Sequence, residues 1–464
     1  MMKRLISTLL CAAIIISMIP QALAAEIGTG RVSADDTDLT QFVDPFVGTD
    51  VDYGQLSPAS MVPYALVKLG ADTYPHVNDD HAGYDYSKTV ISGFSHTRIE
   101  GVGGSGAGGD ILVTPTYVQY DAKPSQASRA MNIVKDDSGN KVEEATPGYY
   151  AVNLWPKEGT NDSTAENQAD GSILAELTSD VRTGLHRYTL PKDGDLSLIV
   201  DLNYCYQTCG GGRDIEMNAE QLTDGRVALS GRFSGGNVGG NGKYTMYFYM
   251  ETSQPVTAMH AWDGSGYQTL DTTKTYTGND VGAVLTLSGK KDAPLEIKVS
   301  VSPISVEQAE RDMKAEIPSW DFEAVRQAAK EAWNEVLGKV QVTSSTTSDP
   351  DGRLKKLFYT HLYHMFTMPM NATSTDGTYR TINAANEVQL ADGYTHYDSW
   401  TLWDDFKKYP IVGLVMPDTY ADIVRSVADG LEAGFATWST NYQSVPNVRT
   451  EHAVALLADG VSKG

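Results

Sequence analysis

Residues 295–338 read LEIKVSVSPISVEQAERDMKAEIPSWDFEAVRQAAKEAWNEVLG, and the spacing of the apolar positions changes within this stretch. Before Pro303 apolar and polar residues alternate, as in a strand with one buried face. After Pro303 the apolar residues recur at spacings of three and four, as on one face of a helix. The stretch therefore predicts that a β-rich part of the chain ends near residue 302 and that a helical part follows it.

The β-rich part is predicted to extend from about Leu39 to Ser302, with residues 25–38 as a linker before it. Short alternating runs recur along it, separated by clusters of Gly, Asn and Asp. Many short strands with turn signals between them predict a β-sandwich or a barrel. The segment is long for one sandwich, so long functional loops are expected. The clearest runs are residues 109–114, 185–190, 196–200 and 244–249.

The part after Pro303 is predicted to be a series of amphipathic helices. Residues 303–349 are interpreted as a helical linker, and residues 350–464 as an incomplete helical domain whose last helix lacks its next neighbour. Strands first and helices afterwards predict two segregated domains. The predicted helices begin at Ser319 or Asp321 and end at Gly338, run from Leu354 to before Pro369, from about Tyr397 to Leu414, from about Pro417 to before Gly434, and from about Thr450 to the end of the sequence.

The first 24 residues have the features of a secretory signal peptide. Lys3 and Arg4 precede an apolar run, and residues 22–24 fit the small-x-small rule for cleavage after Ala24. The run stops short of the roughly 20 apolar residues that a transmembrane helix needs. No second long apolar run follows in the sequence. The sequence therefore predicts a secreted or extracytoplasmic protein with no transmembrane segment after cleavage.

The chain is strongly acidic, with a formal net charge of −23 that becomes −25 when the two basic residues of the predicted signal peptide are removed. Such a surface repels nucleic acid and anionic lipid, so nucleic acid is not expected as a partner. Cys205 and Cys209 remain after cleavage. They are interpreted as a small disulfide or as two free thiols, because no second pair of ligands completes a metal site.

Eight segments together resemble glycoside hydrolase family 92, a family of calcium-dependent, exo-acting α-mannosidases. Each segment alone would be weak, but all eight follow the family order from residue 42 onward. They are FVDPFVGT (42–49), GYDY (83–86), GFSHT (93–97), GGDILVTP (108–115), AELT with GLHRY (175–178 and 184–188), FYTHLYH (358–364), LWDDF (402–406), and HAV with AD (452–454 and 458–459).

The resemblance implies an N-terminal β-sandwich followed by the first part of an (α/α)6 barrel, with the active site between them. It also implies hydrolysis of terminal mannose from glycans with inversion, and a Ca2+ cofactor. An inverting glycosidase needs a carboxylic acid and a carboxylate roughly 6.5–9.5 Å apart. In the family these residues lie in later barrel motifs, which have no counterpart before Gly464, and the calcium ligands are expected beyond residue 464 as well. We therefore expect no catalytic residue and no metal ligand in this chain, and little activity. The alternative is a non-catalytic secreted protein that binds mannan or another glycan.

The densest cluster of aromatic and acidic side chains contains two predicted substrate-binding residues, Asp404 and Trp403. Sugars offer C–H faces to aromatic rings and hydroxyls to carboxylates. Asp404 matches the family aspartate that binds mannose hydroxyls. Core packing is an equally good reason for the spacing of Trp400 and Trp403. Lys407 stands where the family usually has arginine, and lysine lacks the planar fork of a guanidinium group.

Two further substrate-binding residues, His96 and Glu100, are predicted just before the glycine-rich loop 101–106. Glycines let a backbone pass close to a ligand or to a neighbouring domain. The alternative is a domain contact with ordinary salt bridges. The loop fits the pattern G-x-G-x-x-G, but it leads into a strand and not into a helix, so nucleotide binding is not expected.

Three other residues are interpreted as structural. His361 and His364 lie one helical turn apart, but no further zinc ligand is patterned near them. Glu451 precedes His452 in a segment that resembles the scaffold of the family pocket, so it is not assigned as a catalytic acid.

Overall fold

The structure is a computed structural model that describes the chain from Asp38 onward, so the predicted signal peptide and residues 25–37 lie outside the described residues. Residues 39–464 belong to one structural unit. Within them, the structure does not describe residues 51–54, 77–80, 102–107, 157–170, 207–212, 237–242, 346, 382–386, 399–404 and 433–450.

Antiparallel strands build the N-terminal part of the described chain, after a short 3-10 turn at Leu39–Phe42, and one short helix, α1 (Gln126–Arg129), interrupts them. Each apolar run singled out in the sequence overlaps one strand of this part. The strands are β1 (Gly70–Thr73), β2 (Val90–Ser95), β3 (Leu112–Thr116), β4 (Met131–Ile133), β5 (Glu143–Thr146), β6 (Tyr149–Pro156), β7 (Ile173–Ser179), β8 (Thr183–Thr189), β9 (Gly194–Asp201), β10 (Ile215–Gln221), β11 (Val227–Gly236), β12 (Lys243–Thr252), β13 (Val256–Asp263), β14 (Gly266–Thr269), β15 (Tyr276–Gly278), β16 (Gly282–Gly289) and β17 (Leu295–Ser302).

These strands form two layers. One layer runs in the order β14-β13-β16-β9-β3-β2-β1, and the other runs β15-β10-β11-β12-β17-β8-β7-β6-β5. Strand β4 pairs with β2 of the first layer and with β6 of the second, so the sheet is continuous. Alternate apolar residues of both layers, such as Leu198, Leu285, Phe248 and Val299, share one buried core. The predicted β-sandwich is confirmed.

Helices dominate the chain after Ser302, as the change in periodicity predicts. Among the described residues, no helix is both long enough and apolar enough to cross a bilayer. The helices are α2 (Val306–Glu316), α3 (Phe322–Leu337), α4 (Arg353–Met365), α5 (Tyr409–Val415), α6 (Pro417–Glu432) and α7 (Glu451–Lys463), with two small hairpin sheets that pair β18 (Met370–Asn371) with β21 (Tyr397–Asp398) and β19 (Thr378–Arg380) with β20 (Val388–Leu390).

Helix α3 shows how the local sequence sets the boundaries. Asp321, and not Ser319, caps its N-terminus, because the carboxylate accepts a hydrogen bond of 3.1 Å from the backbone N–H of Ala324. Its buried side includes Ala329 and Trp333, which lie in the predicted apolar stripe. The helix ends at Gly338, where the prediction placed its end.

The helix predicted from Tyr397 is wrong over its first part. Tyr397 and Asp398 form strand β21, residues 399–404 lie outside the described residues, and helix α5 begins at Tyr409. The backbone of Tyr397 is held by its pairing with Asn371 and by a hydrogen bond of 2.9 Å from its N–H to the hydroxyl of Ser426. These contacts lie far away along the sequence, and they prevail over the local helical spacing.

A segment of the sandwich domain, residues 59–65, is built into the core of the helical part. The indole N–H of Trp333 donates a hydrogen bond of 2.6 Å to the carbonyl of Met61. The backbone of Tyr64 exchanges hydrogen bonds of 2.8 Å with Phe366 and Asn371. The side chains of Met61, Tyr64, Trp333 and Phe366 belong to one apolar cluster with residues of helices α3 to α7. The cluster fixes the two parts against each other. The predicted domain bounds 39–302, 303–349 and 350–464 stay predictions.

Candidate functional site between the sandwich and the helices

The predicted substrate residue His96 lies at the end of strand β2, and its side chain is fully buried. One ring nitrogen, Nδ1, is 2.7 Å from the carbonyl of Ile111, and the other, Nε2, is 2.9 Å from Nε2 of His186. The second histidine continues the chain to the hydroxyl of Tyr188 at 2.8 Å. Burial lowers the pKa of His96 to about 3. Both nitrogens are engaged within the sandwich, and a direct contact between His96 and a sugar stays a prediction.

Arg98 anchors the start of the glycine-rich loop to strand β1. Its fully buried guanidinium group donates to the carbonyl of Gly70 at 2.7 Å and forms an ion pair of 3.2 Å with Asp72. The far end of the loop returns at Gly108, which forms a β-bridge with Arg98. Gly108 has a φ of 105°, and a Cβ there would lie 2.5 Å from the carbonyl oxygen of Thr97. Glycine is therefore required at this crossing.

Glu100, another predicted substrate residue, points into the protein and is only 3% exposed. Its two carboxylate oxygens accept hydrogen bonds from one residue: the backbone N–H of Ser57 at 2.8 Å and the hydroxyl of Ser57 at 2.5 Å. Burial raises the pKa of Glu100, whereas the charge on Arg98 and both bonds from Ser57 oppose that rise. Ser57 thus fixes the position of the Glu100 carboxylate.

Lys68 connects this loop electrostatically to the helical domain. Its ammonium group is fully buried and donates a hydrogen bond of 2.7 Å to the carbonyl of Ala65. Burial lowers the pKa of Lys68 to about 7, and the charges that act on it come from both domains: Glu100 and Arg98 from the sandwich, Asp405 and Lys408 from the helical part. The two halves of the candidate site therefore meet around Lys68.

The helical side of this cluster consists of an ion pair and two buried polar side chains. Asp405 and Lys408 form an ion pair of 2.8 Å. Tyr363 and His364, on helix α4, bury a hydroxyl and an Nε2 that have no hydrogen-bond partner among the described residues. Glu100 acts on the pKa of Tyr363 and Lys408 acts on that of His364, which burial lowers to about 4. Buried polar groups of this kind mark a place where water or a ligand can bind.

The other predicted substrate residues, Trp403 and Asp404, lie outside the described residues, as does Trp400. Asp404 directly precedes Asp405 in the sequence, so the described cluster reaches the position next to it. Glu100 and Asp405, the residue after Asp404, thus both act on Lys68. Sequence reasoning missed Lys68 and Lys408, because a lone lysine outside a motif carries no signal of burial or of an ion pair.

The other residues considered as metal or acid–base groups are the cysteines, the paired histidines and the segment of Glu451 and His452. Cys205 is disulfide-bonded, and Cys209 lies outside the described residues. The rings of His361 and His364 are 6.2 Å apart between centroids. The side chain of Glu451 lies outside the described part of the chain, whereas the ring of His452 stacks on that of Phe406 with centroids 4.0 Å apart. Within the described ranges, no three side chains among His, Cys, Asp and Glu come together as metal ligands. The described residues therefore do not by themselves fit a calcium site.

Comparison with known proteins gives two family matches that together span most of the chain. The "Glycosyl hydrolase family 92 N-terminal domain" matches residues 42–302, and the "Glycosyl hydrolase family 92 catalytic domain" matches residues 308–464. Among curated proteins, an "Uncharacterized secreted glycosidase" of Arthroderma benhamiae is 25% identical, and the match covers 92% of this chain and 54% of that protein.

Solved structures agree with the fold. The gh92 family glycosyl hydrolase ccman5 is 40% identical with a TM-score of 0.80, covering 92% of this chain and 54% of that one. The family GH92 alpha-mannosidase BT3965 from Bacteroides thetaiotaomicron is 24% identical with a TM-score of 0.75, covering 92% and 55%. A further structure of BT3965 is in complex with mannoimidazole. The chain spans about half the length of these relatives, and the predicted order of a β-sandwich followed by a helical domain of the (α/α) type is confirmed.

Proposed function

This chain belongs to glycosyl hydrolase family 92, and on that premise we propose that it supplies one wall of the mannose site of a secreted, inverting α-mannosidase that removes terminal mannose from glycans. The observation that carries the proposal is the charged cluster around Lys68. It joins Glu100 of the sandwich loop to Asp405 and Lys408 of the helical part. A substrate that lies between the two domains would meet residues of both.

The chemistry of this cluster suits a neutral, hydroxyl-rich ligand. The described charges are partly compensated, since Asp405 pairs with Lys408 at 2.8 Å. Asp404, the next residue along the chain, is proposed to accept hydrogen bonds from vicinal hydroxyls of mannose, with Trp403 against a C–H face of the ring. The mannoimidazole complex of BT3965 supports a mannose-like ligand for the family.

We propose that this 464-residue chain binds a mannoside but hydrolyses it poorly. Inversion needs one carboxyl group that gives a proton to the leaving oxygen and another that takes a proton from water. Glu100 has both oxygens bonded to Ser57. Asp405 uses one oxygen for Lys408 and accepts a hydrogen bond of 3.3 Å from the hydroxyl of Tyr409 on the other. Neither carboxyl group is placed to exchange a proton with a sugar or with water.

We propose that a chain with the full length of the relatives binds Ca2+. When bound, the ion would polarise sugar hydroxyls as a Lewis acid. Among the described residues, no three side chains of His, Cys, Asp or Glu come together around such an ion. Secretion is likewise proposed, and the curated relative from Arthroderma benhamiae, named a secreted glycosidase, supports it.

The proposal is tested by comparing binding and hydrolysis in the same protein. Calorimetric titration with methyl α-D-mannopyranoside should show weak binding, and Asp404→Ala should abolish that component. Asp418→Ala is the matched control, because Asp418 is exposed at the start of helix α6 and lies outside the cluster. Release of mannose from an aryl α-mannoside should stay near the buffer blank.

Two results would overturn, separately, the proposed mannose site and the proposed lack of hydrolytic activity. Mannoside binding that Asp404→Ala leaves intact would remove this site as the mannose site. Rapid release of mannose by the 464-residue chain would refute its inactivity. A chain with the full length of the relatives should release mannose, and a chelator should stop that release until Ca2+ is restored. If such a chain binds mannosides without releasing mannose at any calcium concentration, the glycan-binding alternative is favoured.

A further inference from the structure

A cavity apart from the cluster around Lys68 lies in the helical domain, between the β19–β20 hairpin and the C-terminal half of helix α6. Its volume is about 350 Å³. Ligand sites in proteins have volumes of roughly 300–1,000 Å³. None of its lining residues belongs to the cluster around Lys68. The side chains that matter for its chemistry are Tyr379, Gln389, Leu390, Tyr394, Arg425 and Asp429.

The floor of this cavity is an aromatic stack. Tyr379 lies on the ring of His396 with centroids 3.9 Å apart and an interplanar angle of 17°. Tyr394 meets Tyr379 edge-on at 6.3 Å and 74°. Tyr379 and His396 are both 5% exposed, and burial lowers the pKa of His396 to about 3. The floor is thus uncharged at neutral pH and is held in one arrangement.

The rim carries groups that bind hydroxyls. The guanidinium group of Arg425 lies 3.9 Å above the ring of Tyr394. The hydroxyl of Tyr394 donates a hydrogen bond of 2.8 Å to Asp429, and that of Tyr379 donates one of 3.2 Å to the amide oxygen of Gln389. A carboxylate, a guanidinium group and an amide together offer acceptors and donors, which a polyhydroxylated ring can use at the same time.

Charge and apolar surface narrow the class of ligand. The lining contains one guanidinium group, that of Arg425, and two carboxyl groups, those of Asp429 and Glu432, so its balance of charge disfavours an anionic ligand. Leu390 is 63% exposed at the mouth of the cavity and gives an apolar patch next to the tyrosines. Apolar and aromatic surface combined with a few oriented polar groups is the usual composition of a small-molecule site. A neutral pyranose has both kinds of surface.

The walls are anchored before any ligand arrives. Arg380 of strand β19 donates to the carbonyls of Pro303 and Ile304, the second at 2.6 Å, which ties the hairpin to the start of the helical part. The backbone N–H of Thr395 donates a hydrogen bond of 3.0 Å to Asp422 of helix α6. A cavity held in this way loses little conformational entropy on binding.

We propose that this cavity binds a pyranose unit of a neutral glycan, as a second sugar site of the helical domain that is separate from the cluster around Lys68. The choice of mannosides as the first ligand to test rests on the proposed function, whereas the cavity argument holds for any neutral pyranose. The site would hold the protein near a branched or polymeric glycan, since two weak sites on one chain raise the effective concentration of the substrate.

The test uses the Asp404→Ala protein, in which the first mannose site is removed. Ligand-observed NMR with methyl α-D-mannopyranoside and α-mannobiose should detect a remaining weak binding component. Asp429→Ala should raise the dissociation constant of that component about tenfold, because it removes the carboxylate acceptor from the rim of the cavity. Asp418→Ala, an exposed aspartate on the same helix and not part of the lining, should change it less than about twofold.

Arg425→Gln is a second variant that keeps the test valid if Asp429→Ala does not fold, because Arg425 is exposed. Circular dichroism melting should show that it folds, and it should weaken the remaining component as well. Binding that neither variant changes would overturn the proposal, and so would the absence of a remaining component for mannosides, glucosides and galactosides at 100 mM, roughly a hundredfold above a millimolar dissociation constant. If the component sensitive to Asp429→Ala is found but binding in the unmodified chain does not respond to Asp404→Ala, the proposed function fails and the second site stands.

Discussion

The hydrogen bond from the Ser57 hydroxyl to Glu100 is predicted to be far stronger in its effect on stability than an equally short bond at the surface. Ser57 and Glu100 are both 3% exposed, and the hydroxyl lies 2.5 Å from the carboxylate oxygen. Removing one partner of a hydrogen bond to a charged group costs about 1.5–3 kcal/mol when the remaining group stays buried. Ser57→Ala should therefore lower the free energy of unfolding by about 2 kcal/mol at pH 8.

Ser265 provides the matched control. Its hydroxyl also donates to a carboxylate, that of Asp263, over 2.5 Å, but Ser265 is exposed on the turn between β13 and β14. Water replaces the lost hydroxyl there, so Ser265→Ala should change the free energy of unfolding by less than about 0.5 kcal/mol. Urea denaturation followed by circular dichroism measures both variants, with the midpoint read at an unchanged slope.

The effect of Ser57→Ala should also depend on pH. The bonds from Ser57 lower the pKa of Glu100 against the rise caused by burial, so they favour the ionised carboxylate. Losing one of them raises the folded-state pKa further, and a carboxyl group with a raised folded-state pKa loses stability as the pH rises through that value. The penalty of Ser57→Ala should thus be smaller at pH 5 than at pH 8. A penalty that equals the one of Ser265→Ala, or that does not change with pH, would refute the view that the bonds from Ser57 favour the ionised form of Glu100.

Three further predictions concern the contact between the sandwich and the helical part, an ion pair within the sandwich, and the buried histidines. Trp333→Ala should lower the free energy of unfolding by about 4–6 kcal/mol and Trp333→Phe by about 2 kcal/mol, because the first leaves a cavity and both leave the carbonyl of Met61 unpaired. Trp320 is half-buried, so Trp320→Ala should lower the free energy of unfolding by less than Trp333→Ala does. An equal loss would contradict the reasoning. Arg187→Lys should cost about 1–2 kcal/mol in the same assay, because lysine cannot reproduce the two bonds of 2.8 and 2.7 Å to Glu176; no loss would mean that the pair is fully screened. Burial lowers the pKa of His96 to about 3, of His364 to about 4 and of His396 to about 3, below the unfolded value, so stability should fall as the pH drops below about 6.5. His364→Phe should reduce the loss between pH 6.5 and 4.5 by about 2 kcal/mol, and an unchanged pH dependence of the urea midpoint would contradict this.

The layer structure could be predicted because it follows from local periodicity. The alternation up to Ser302 and the spacing of apolar residues in helix α3 are properties of neighbouring residues, and both are found in the structure. Strand β21 could not be predicted in this way. Tyr397 has a helical neighbourhood in sequence, but its backbone is fixed by Asn371 and Ser426, whose proximity depends on the completed fold.

The candidate site shows the same division. The resemblance directed attention to His96 and Glu100, and the structure places both at the base of the glycine-rich loop. It could not indicate that their polar atoms bond to His186 and Ser57, because those partners come from distant parts of the sandwich. Lys68 is a stronger example. Nothing in the sequence around it distinguishes this fully buried lysine from an exposed one such as Lys290.

The contacts between the two domains imply that the helical part cannot build its share of the site alone. The N–H groups of Trp333 and of Asn371 donate to the backbone carbonyls of Met61 and Tyr64, which belong to the sandwich domain. The Asp405–Lys408 pair, in turn, lies in the field of Lys68 and Glu100. If the sandwich were removed, buried donors would lose their acceptors and the Asp405–Lys408 pair would lose the neighbouring charge of Lys68. We therefore expect the sandwich to be a part of the proposed sugar site, and residues 303–464 expressed alone should show neither cooperative unfolding nor binding of a mannoside.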